Sequence, residues 1–142
     1  REEMLKVHQA APQLENQDTA WNRIALAGLY RRSDIGRVDE AIELDQAALE
    51  IFRRVAGATN AFTLDAMTEL AISYRAAGRV PDAISLEEES LRLKRQHLAP
   101  GHAYTMHSME NLAKCYDKAN RPSEAEALRQ EAKALKAKAK AK

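Results

Sequence analysis

A spacing of 42 residues recurs along this chain of 142 residues and constrains its fold more than any other feature. Three alanines keep the spacing: Ala41, Ala83 and Ala125. Three leucines keep it as well: Leu44, Leu86 and Leu128. A fixed period of this length indicates an array of one supersecondary unit, whose copies stack because no single unit can bury its apolar face.

The middle unit has the pattern of a helical hairpin. Its first segment places residues at i, i+3, i+4 and i+7, on one face of an α-helix: Met67, Leu70, Ala71 and Tyr74. Gly78 suits the left-handed backbone conformation that closes a helix, and Pro81 suits the first turn of a second helix. The Ala-Pro-Gly sequence at 99–101 is expected to end that second helix.

The third unit copies the middle one. Residues 105–116 align with residues 63–74 without a gap, and Asn120 replaces the turn glycine, which a left-handed turn tolerates at small cost. After Leu135 the apolar pattern gives way to lysine and alanine. In the tail at 136–142 we therefore expect either a continuing, solvated capping helix or lysines that meet an acidic partner.

The first unit is stretched. Tyr30 matches Tyr74 at 44 residues, whereas Gly36 returns to the spacing of 42, so two extra residues lie within 31–35. The insertion indicates either a longer helix end or wider turn, or a loop that contacts a partner. Residues 1–18 have the pattern of the end of an earlier repeat, a capping helix and linker. Because the chain also starts without methionine, an excised fragment is expected.

These patterns predict an all-α fold. The expected architecture is an α-solenoid of antiparallel helix hairpins, with three repeats and a partial N-terminal helix. The predicted repeats are residues 19–60, 61–102 and 103–135. In such arrays each repeat contacts only its neighbours, and the extended surface usually serves for binding.

Composition argues against several classes of function. Aromatic residues make up 5% of the chain, which is few for a platform that stacks single-stranded nucleic acid. A net charge of +1 gives no overall attraction to nucleic acid or membranes, and no apolar run approaches the roughly 20 residues of a membrane span. The single cysteine, Cys115, excludes an internal disulfide and favours a reducing compartment, so we expect a cytoplasmic location.

The repeat resembles tetratricopeptide repeats (TPR), and more narrowly the 42-residue type found in kinesin light chains. The residues that carry this resemblance in the middle unit are Thr63, Leu64, Leu70, Ala71, Tyr74, Gly78, Arg79 and Ala83. In the last unit they are Thr105, Met106, Asn111, Leu112, Ala113, Tyr116, Arg121 and Ala125. The linker at 98–102, Leu-Ala-Pro-Gly-His, is similar to the Leu-Gly-Pro-x-His linker of that type. Asp45, Glu87 and Arg129 depart from the pattern, because a more apolar residue is common there.

The resemblance implies that the first helix of each hairpin lines a concave groove that binds a protein or peptide. By the family's pattern the groove residues are Arg31, Arg32, Asp65, Glu69, Ile72, Arg75, His107, Glu110, Asn111, Lys114 and Lys118. Repeats of this type use an asparagine at the Asn111 position to bond a peptide backbone; the alternative is a solvated or internally bonded side chain. The groove charges nearly balance, so they predict no ligand charge. Trp21 is either an interface anchor or is buried against the N-terminal helix.

No motif for catalysis or a cofactor stands out, so we predict a non-catalytic protein with no cofactor and no metal site. Cys115 has no evident base, and His97, His102 and His107 are five residues apart and do not share a helix face. The leading hypothesis is a protein–protein interaction module within a longer scaffold or signalling protein. The alternative is a structural spacer or a self-association segment that forms homo-oligomers through exposed repeat ends.

Overall fold

The repeat forms a stack of helical hairpins. A computed structural model describes residues 16–32 and 36–141, and these ranges contain six helices and no strand. The helices are α1 (Gln17–Tyr30), α2 (Val38–Val55), α3 (Ala61–Ala76), α4 (Val80–His97), α5 (Ala103–Lys118) and α6 (Pro122–Ala141). Consecutive helices pair into three hairpins, and each hairpin packs against the next, so the predicted all-α solenoid is confirmed. Of the predicted segment 1–18, only residues 16–18 are described.

Side chains fix the starts of the first helices. The Asn16 carboxamide accepts a hydrogen bond from the Thr19 amide, and the Asn60 carboxamide accepts one from the Phe62 amide. At the start of α5 the His102 ring accepts from the Tyr104 amide. These bonds satisfy amides that a helix N-terminus otherwise leaves without a partner.

A tyrosine–arginine contact closes each hairpin turn. Arginine guanidinium groups lie 4.4, 4.5 and 4.4 Å from the centres of tyrosine rings in the pairs Arg37–Tyr30, Arg79–Tyr74 and Arg121–Tyr116. In each pair the arginine amide also donates to the tyrosine carbonyl, at 3.0, 2.8 and 2.8 Å. Each arginine then forms an ion pair with an acid three residues later: Glu40, Asp82 or Glu124. The turn is therefore one unit that occurs three times, with cation–π and ionic contacts in the same places.

The turns differ in length and in the residue that takes the left-handed conformation. The bond from Arg37 to Tyr30 spans two more residues than its counterparts, so the insertion widens this turn. Gly78 has φ of 80°, and Asn120 takes the same role with φ of 59°. The prediction that Asn120 takes the left-handed conformation of the turn glycine is thus confirmed.

Small side chains let the hairpins approach closely. Ala41, Ala71, Ala83 and Ala125 are fully buried, and larger apolar side chains fill the space around them. The ring of Trp21 packs edge-on against Phe52 and Phe62, with ring centres 5.1 and 5.5 Å apart. Trp21 is half-buried, and its alternative contact with residues 1–11 lies outside the described residues.

The first helices of the hairpins lie side by side. Helix α1 contacts α3, and α3 contacts α5, whereas the second helices approach one another less closely. We therefore call α1, α3 and α5 the inner row and α2, α4 and α6 the outer row.

The last helix extends into the predicted tail. Helix α6 continues to Ala141, so residues 136–141 are helical, as the first of the two alternatives for the tail expects. Lysines near a helix C-terminus interact favourably with its dipole. None of the described helices combines the length and apolar character that crossing a bilayer requires.

Two glycines give opposite expectations for one substitution. Gly78→Ala should lower the free energy of unfolding by about 1 kcal/mol, because alanine resists a positive φ. An added Cβ there meets nothing within 4 Å, so the cost is one of backbone conformation alone. Gly28→Ala, inside α1, should instead raise the free energy of unfolding by about 0.5–1 kcal/mol. Urea titrations followed by circular dichroism measure both, and changes of the same sign would contradict this account.

Candidate functional site

Most of the predicted groove residues lie on the inner row, but they differ in accessibility. Helix α3 carries Asp65, Glu69, Ile72 and Arg75, and α5 carries His107, Glu110, Asn111, Lys114 and Lys118; Arg31 and Arg32 follow α1. Asp65 and Asn111 are buried, with 6% and 3% of their surface exposed. Glu110, Lys114, Lys118 and Arg32 are exposed, and the remaining groove residues are half-buried.

A buried polar cluster joins the second and third hairpins. The carboxylate of Glu87, in α4, accepts hydrogen bonds from the hydroxyls of Thr68 and Ser108, at 2.7 and 2.6 Å. The ammonium of Lys94 donates to the same two hydroxyls, at 2.6 Å each. All four side chains are fully buried. Burial lowers the pKa of Lys94, and the nearby carboxylates of Glu87 and Asp65 oppose that shift.

Asn111 belongs to this cluster. Its side-chain amide donates to Glu87 at 2.6 Å, and its carbonyl oxygen accepts from the Arg75 guanidinium at 3.1 Å. Both ends of the carboxamide therefore bind other side chains of the protein. Of the two alternatives for Asn111, the structure contains the internally bonded one; contact with a ligand stays a prediction.

A second polar cluster joins the first and second hairpins. The Arg31 guanidinium lies 3.3 Å from an oxygen of Asp45 and 3.1 Å from an oxygen of Glu69. It also donates to the Ser73 hydroxyl at 2.9 Å, and that hydroxyl donates to Asp45. Burial raises the pKa of Asp45 to about 7, although the Ser73 hydrogen bond and the charge of Arg31 act against the shift.

The three residues that depart from the family pattern occupy equivalent positions in the three hairpins. Asp45 and Glu87 each form the centre of a polar cluster between hairpins. Arg129, at the same position of the last hairpin, pairs with Asp117 on the surface. The sequence identified these positions through their polarity, but the apolar periodicity could not reveal their partners.

Three side chains on the inner row lie close enough together to be considered for a metal ion. Ligand atoms of Asp65, Glu69 and His107 fall within 4.8 Å of one another. Two cations already lie beside them, because Lys94 is 4.0 Å from Asp65 and Arg31 is 3.1 Å from Glu69. The hydrogen bond to Asp65 raises the pKa of His107 and favours the protonated ring. The cluster is therefore better described as an ion-pair network than as a metal centre.

Cys115 is fully buried and is the only cysteine. Burial raises the pKa of its thiol to about 11. The thiol therefore stays protonated at neutral pH, and a protonated thiol is a poor nucleophile.

The acids of α3 and α5 have cationic partners within the protein. Asp65 and Glu69 have cationic neighbours, as described above. Asp117 pairs with Arg129, and Glu110 pairs with Lys136 at 2.9 Å. Glu110 thus points toward α6 at the end of the stack. The exposed side chains of Lys114 and Lys118 dominate the surface of α5 on the inner row.

Comparison with known proteins identifies the repeat. A family model described as tetratricopeptide repeat matches residues 18–96. No curated protein matches the chain.

Solved structures share the fold. The nearly identical TPR-like repeats of a Podosopora anserina protein described as a kinesin light chain superimpose with a TM-score of 0.80 and 27% identity. That match covers 89% of this chain and 59% of the other. BtubC (BKLC) from P. vanneervenii also superimposes with a TM-score of 0.80, at 22% identity, over 98% of this chain and 55% of that one. The chain therefore spans little more than half the length of these structures.

The buried carboxyl of Asp45 predicts that stability falls as pH rises. Its pKa is 3.8 in the unfolded chain and about 7 in the folded protein, so the unfolded state binds fewer protons between these values. The free energy of unfolding should therefore fall by about 2–3 kcal/mol between pH 5 and pH 8. Oδ1 of this carboxyl is buried and has no hydrogen-bond partner among the described residues, so nothing at that atom offsets the loss of water around a negative charge.

Urea titrations of the native protein and of Asp45→Asn across this range measure the effect. The difference in slope isolates Asp45, because the raised pKa of His107 also removes stability at rising pH. Asp45→Asn should flatten the dependence, and Glu89→Gln, on the exposed surface of α4, should leave it unchanged. The same slope in all three proteins would refute a buried, protonated Asp45.

Proposed function

The chain belongs to the tetratricopeptide repeat family, and we propose that it is a non-catalytic module that binds a peptide or partner domain on the inner row of helices. Tetratricopeptide repeats are generally protein-interaction modules. The observation that carries the proposal is a contrast between side chains that bond within the protein and side chains that remain accessible. Arg31, Glu69 and Asn111 are held by internal bonds, whereas Lys114 and Lys118 remain accessible.

The charge distribution supports an acidic ligand. The two exposed acids of α5, Glu110 and Asp117, already pair with Lys136 and Arg129 of α6, so the exposed lysines of α5 remain available to an acidic ligand. Half-buried Ile72, on α3, adds an apolar contact. We therefore propose a ligand that combines acidic residues with an apolar anchor.

Self-association is the second candidate. Leu29 is 48% exposed, although Ser73 and Cys115, at the equivalent positions of the later hairpins, are fully buried against their neighbours. An apolar residue left exposed at the first hairpin favours contact with another unit.

The length of the chain and its single cysteine bear on its role in a larger protein and on its location. Because the chain spans little more than half the length of related structures, we propose that it is part of a longer scaffold or signalling protein. We also propose a cytoplasmic location, which the single buried Cys115 thiol supports.

Peptides selected from a random display library test the proposed binding surface. Lys114→Glu combined with Lys118→Glu should weaken binding of a selected peptide about tenfold, because each exposed charge contributes up to about 1 kcal/mol. Fluorescence anisotropy with the synthesised peptide gives the Kd. The control variant, Arg53→Glu with Arg92→Glu, changes the net charge equally on exposed positions of the outer row.

The proposal fails if the two double variants bind equally well, or if the outer-row variant alone loses binding. Circular dichroism verifies that both variants remain helical. Light scattering over a concentration series separates the second candidate, because self-association increases with protein concentration and needs no peptide.

A further inference from the structure

A groove with an apolar floor opens at the C-terminal end of the stack. It has a volume of about 480 Å³ and lies between α5 and α6. Met109 and Ala132 form its buried floor, with 1% and 5% of their surface exposed, and half-buried Leu128 lies beside them. Its lining also includes Lys133, Lys136 and Lys140, all exposed.

The internal repeat shows what such a groove holds. Six of its residues are Met109, Glu110, Leu128, Arg129, Ala132 and Lys136. One repeat earlier the equivalent residues are Met67, Thr68, Leu86, Glu87, Ser90 and Lys94. In that earlier groove Thr68, Glu87 and Lys94 bind Ser108 of α5, and Glu87 also binds Asn111. A helix therefore occupies the earlier copy of the groove.

The charge of the end groove differs from that of its earlier copy. Glu87 is replaced by Arg129, and Leu91 by Lys133, so the surface becomes basic. One carboxylate, Glu110, lines the groove and pairs with Lys136. Asp117, next to the groove, pairs with Arg129.

We infer that the end groove binds an amphipathic helix of a partner protein that carries acidic residues where α5 carries Ser108 and Asn111. Carboxylates at these two positions, three residues apart, project from the same side of a helix toward the groove. They meet Arg129 and the lysines of α6, while apolar residues one turn away cover Met109 and Leu128. This site lies between α5 and α6 and does not use Lys114 and Lys118, so it does not depend on the function proposed for those lysines.

A second copy of this chain fits the groove less well. The equivalent positions on α1 are Asn22 and Ala25, and neither carries a negative charge. Charge complementarity thus favours an acidic partner helix over stacking of the chain on itself.

A pair of peptides based on α5 tests the inference with the full chain. The acidic probe has the sequence of residues 103–118 with Ser108→Glu and Asn111→Glu, and the basic probe has lysine at both positions; Cys115→Ser in both prevents oxidation. Each probe carries fluorescein, and anisotropy gives its Kd. The acidic probe should bind at least about tenfold more tightly than the basic one.

Two protein variants with equal changes in net charge then locate the binding site. Lys133→Glu with Lys136→Glu should weaken the acidic probe about tenfold or more, and Lys114→Glu with Lys118→Glu on the inner row should leave its Kd within about twofold. Equal losses in both variants, equal affinity for both probes, or no binding would overturn the inference. It is also overturned if sedimentation shows self-association that Lys133→Glu with Lys136→Glu abolishes, because a second copy would then be the occupant.

Discussion

The buried carboxylate of Glu87 holds the second and third hairpins in one arrangement. Its partners come from two other helices, Thr68 from α3 and Ser108 and Asn111 from α5, so a single group fixes three helices at once. A displacement of α5 by one turn would leave Glu87 and Lys94 buried without these partners, which costs several kcal/mol. Apolar contacts alone tolerate such sliding more easily, because they have little directionality.

The first junction uses different chemistry at the same position. There the long side chain of Arg31 reaches from the end of α1 to Asp45 on α2 and to Glu69 on α3. Because the polar groups of the two junctions differ, the first hairpin does not match the surface that receives the third. Each junction therefore has its own set of polar partners.

The sequence predicted the hairpins well, since helix periodicity, turn glycines and helix-starting proline are local signals. The exchange of Gly for Asn120 at the turn was also readable, because few residues accept a positive φ. The polar clusters were not predictable in the same way. Glu87 and Asn111 are 24 residues apart, and whether their side chains meet depends on how two hairpins pack. The departures at Asp45 and Glu87 gave a signal of position but none of partner.

Whether the predicted groove residues bind a ligand stays a prediction, and the structure adds how accessible each of them is. A family position specifies which way a residue faces, whereas the length and charge of its neighbours decide whether it is free to bind. The side chain of Asn111 forms hydrogen bonds with Glu87 and Arg75. The side chain of Glu110 points toward α6, where it accepts from Lys136. The exposed surface is consequently smaller and more basic than the eleven predicted residues suggested.

The tyrosine–arginine closure separates the length of a turn from the packing of its hairpin. In the first hairpin the bond between Arg37 and Tyr30 and the stacking of their side chains persist across a longer loop. The two extra residues lie within the loop that this bond closes, and the closing contacts keep the same types of partner as in the other hairpins. Such a turn offers the repeat a place where new sequence, and with it a new contact surface, can be added without rebuilding the stack.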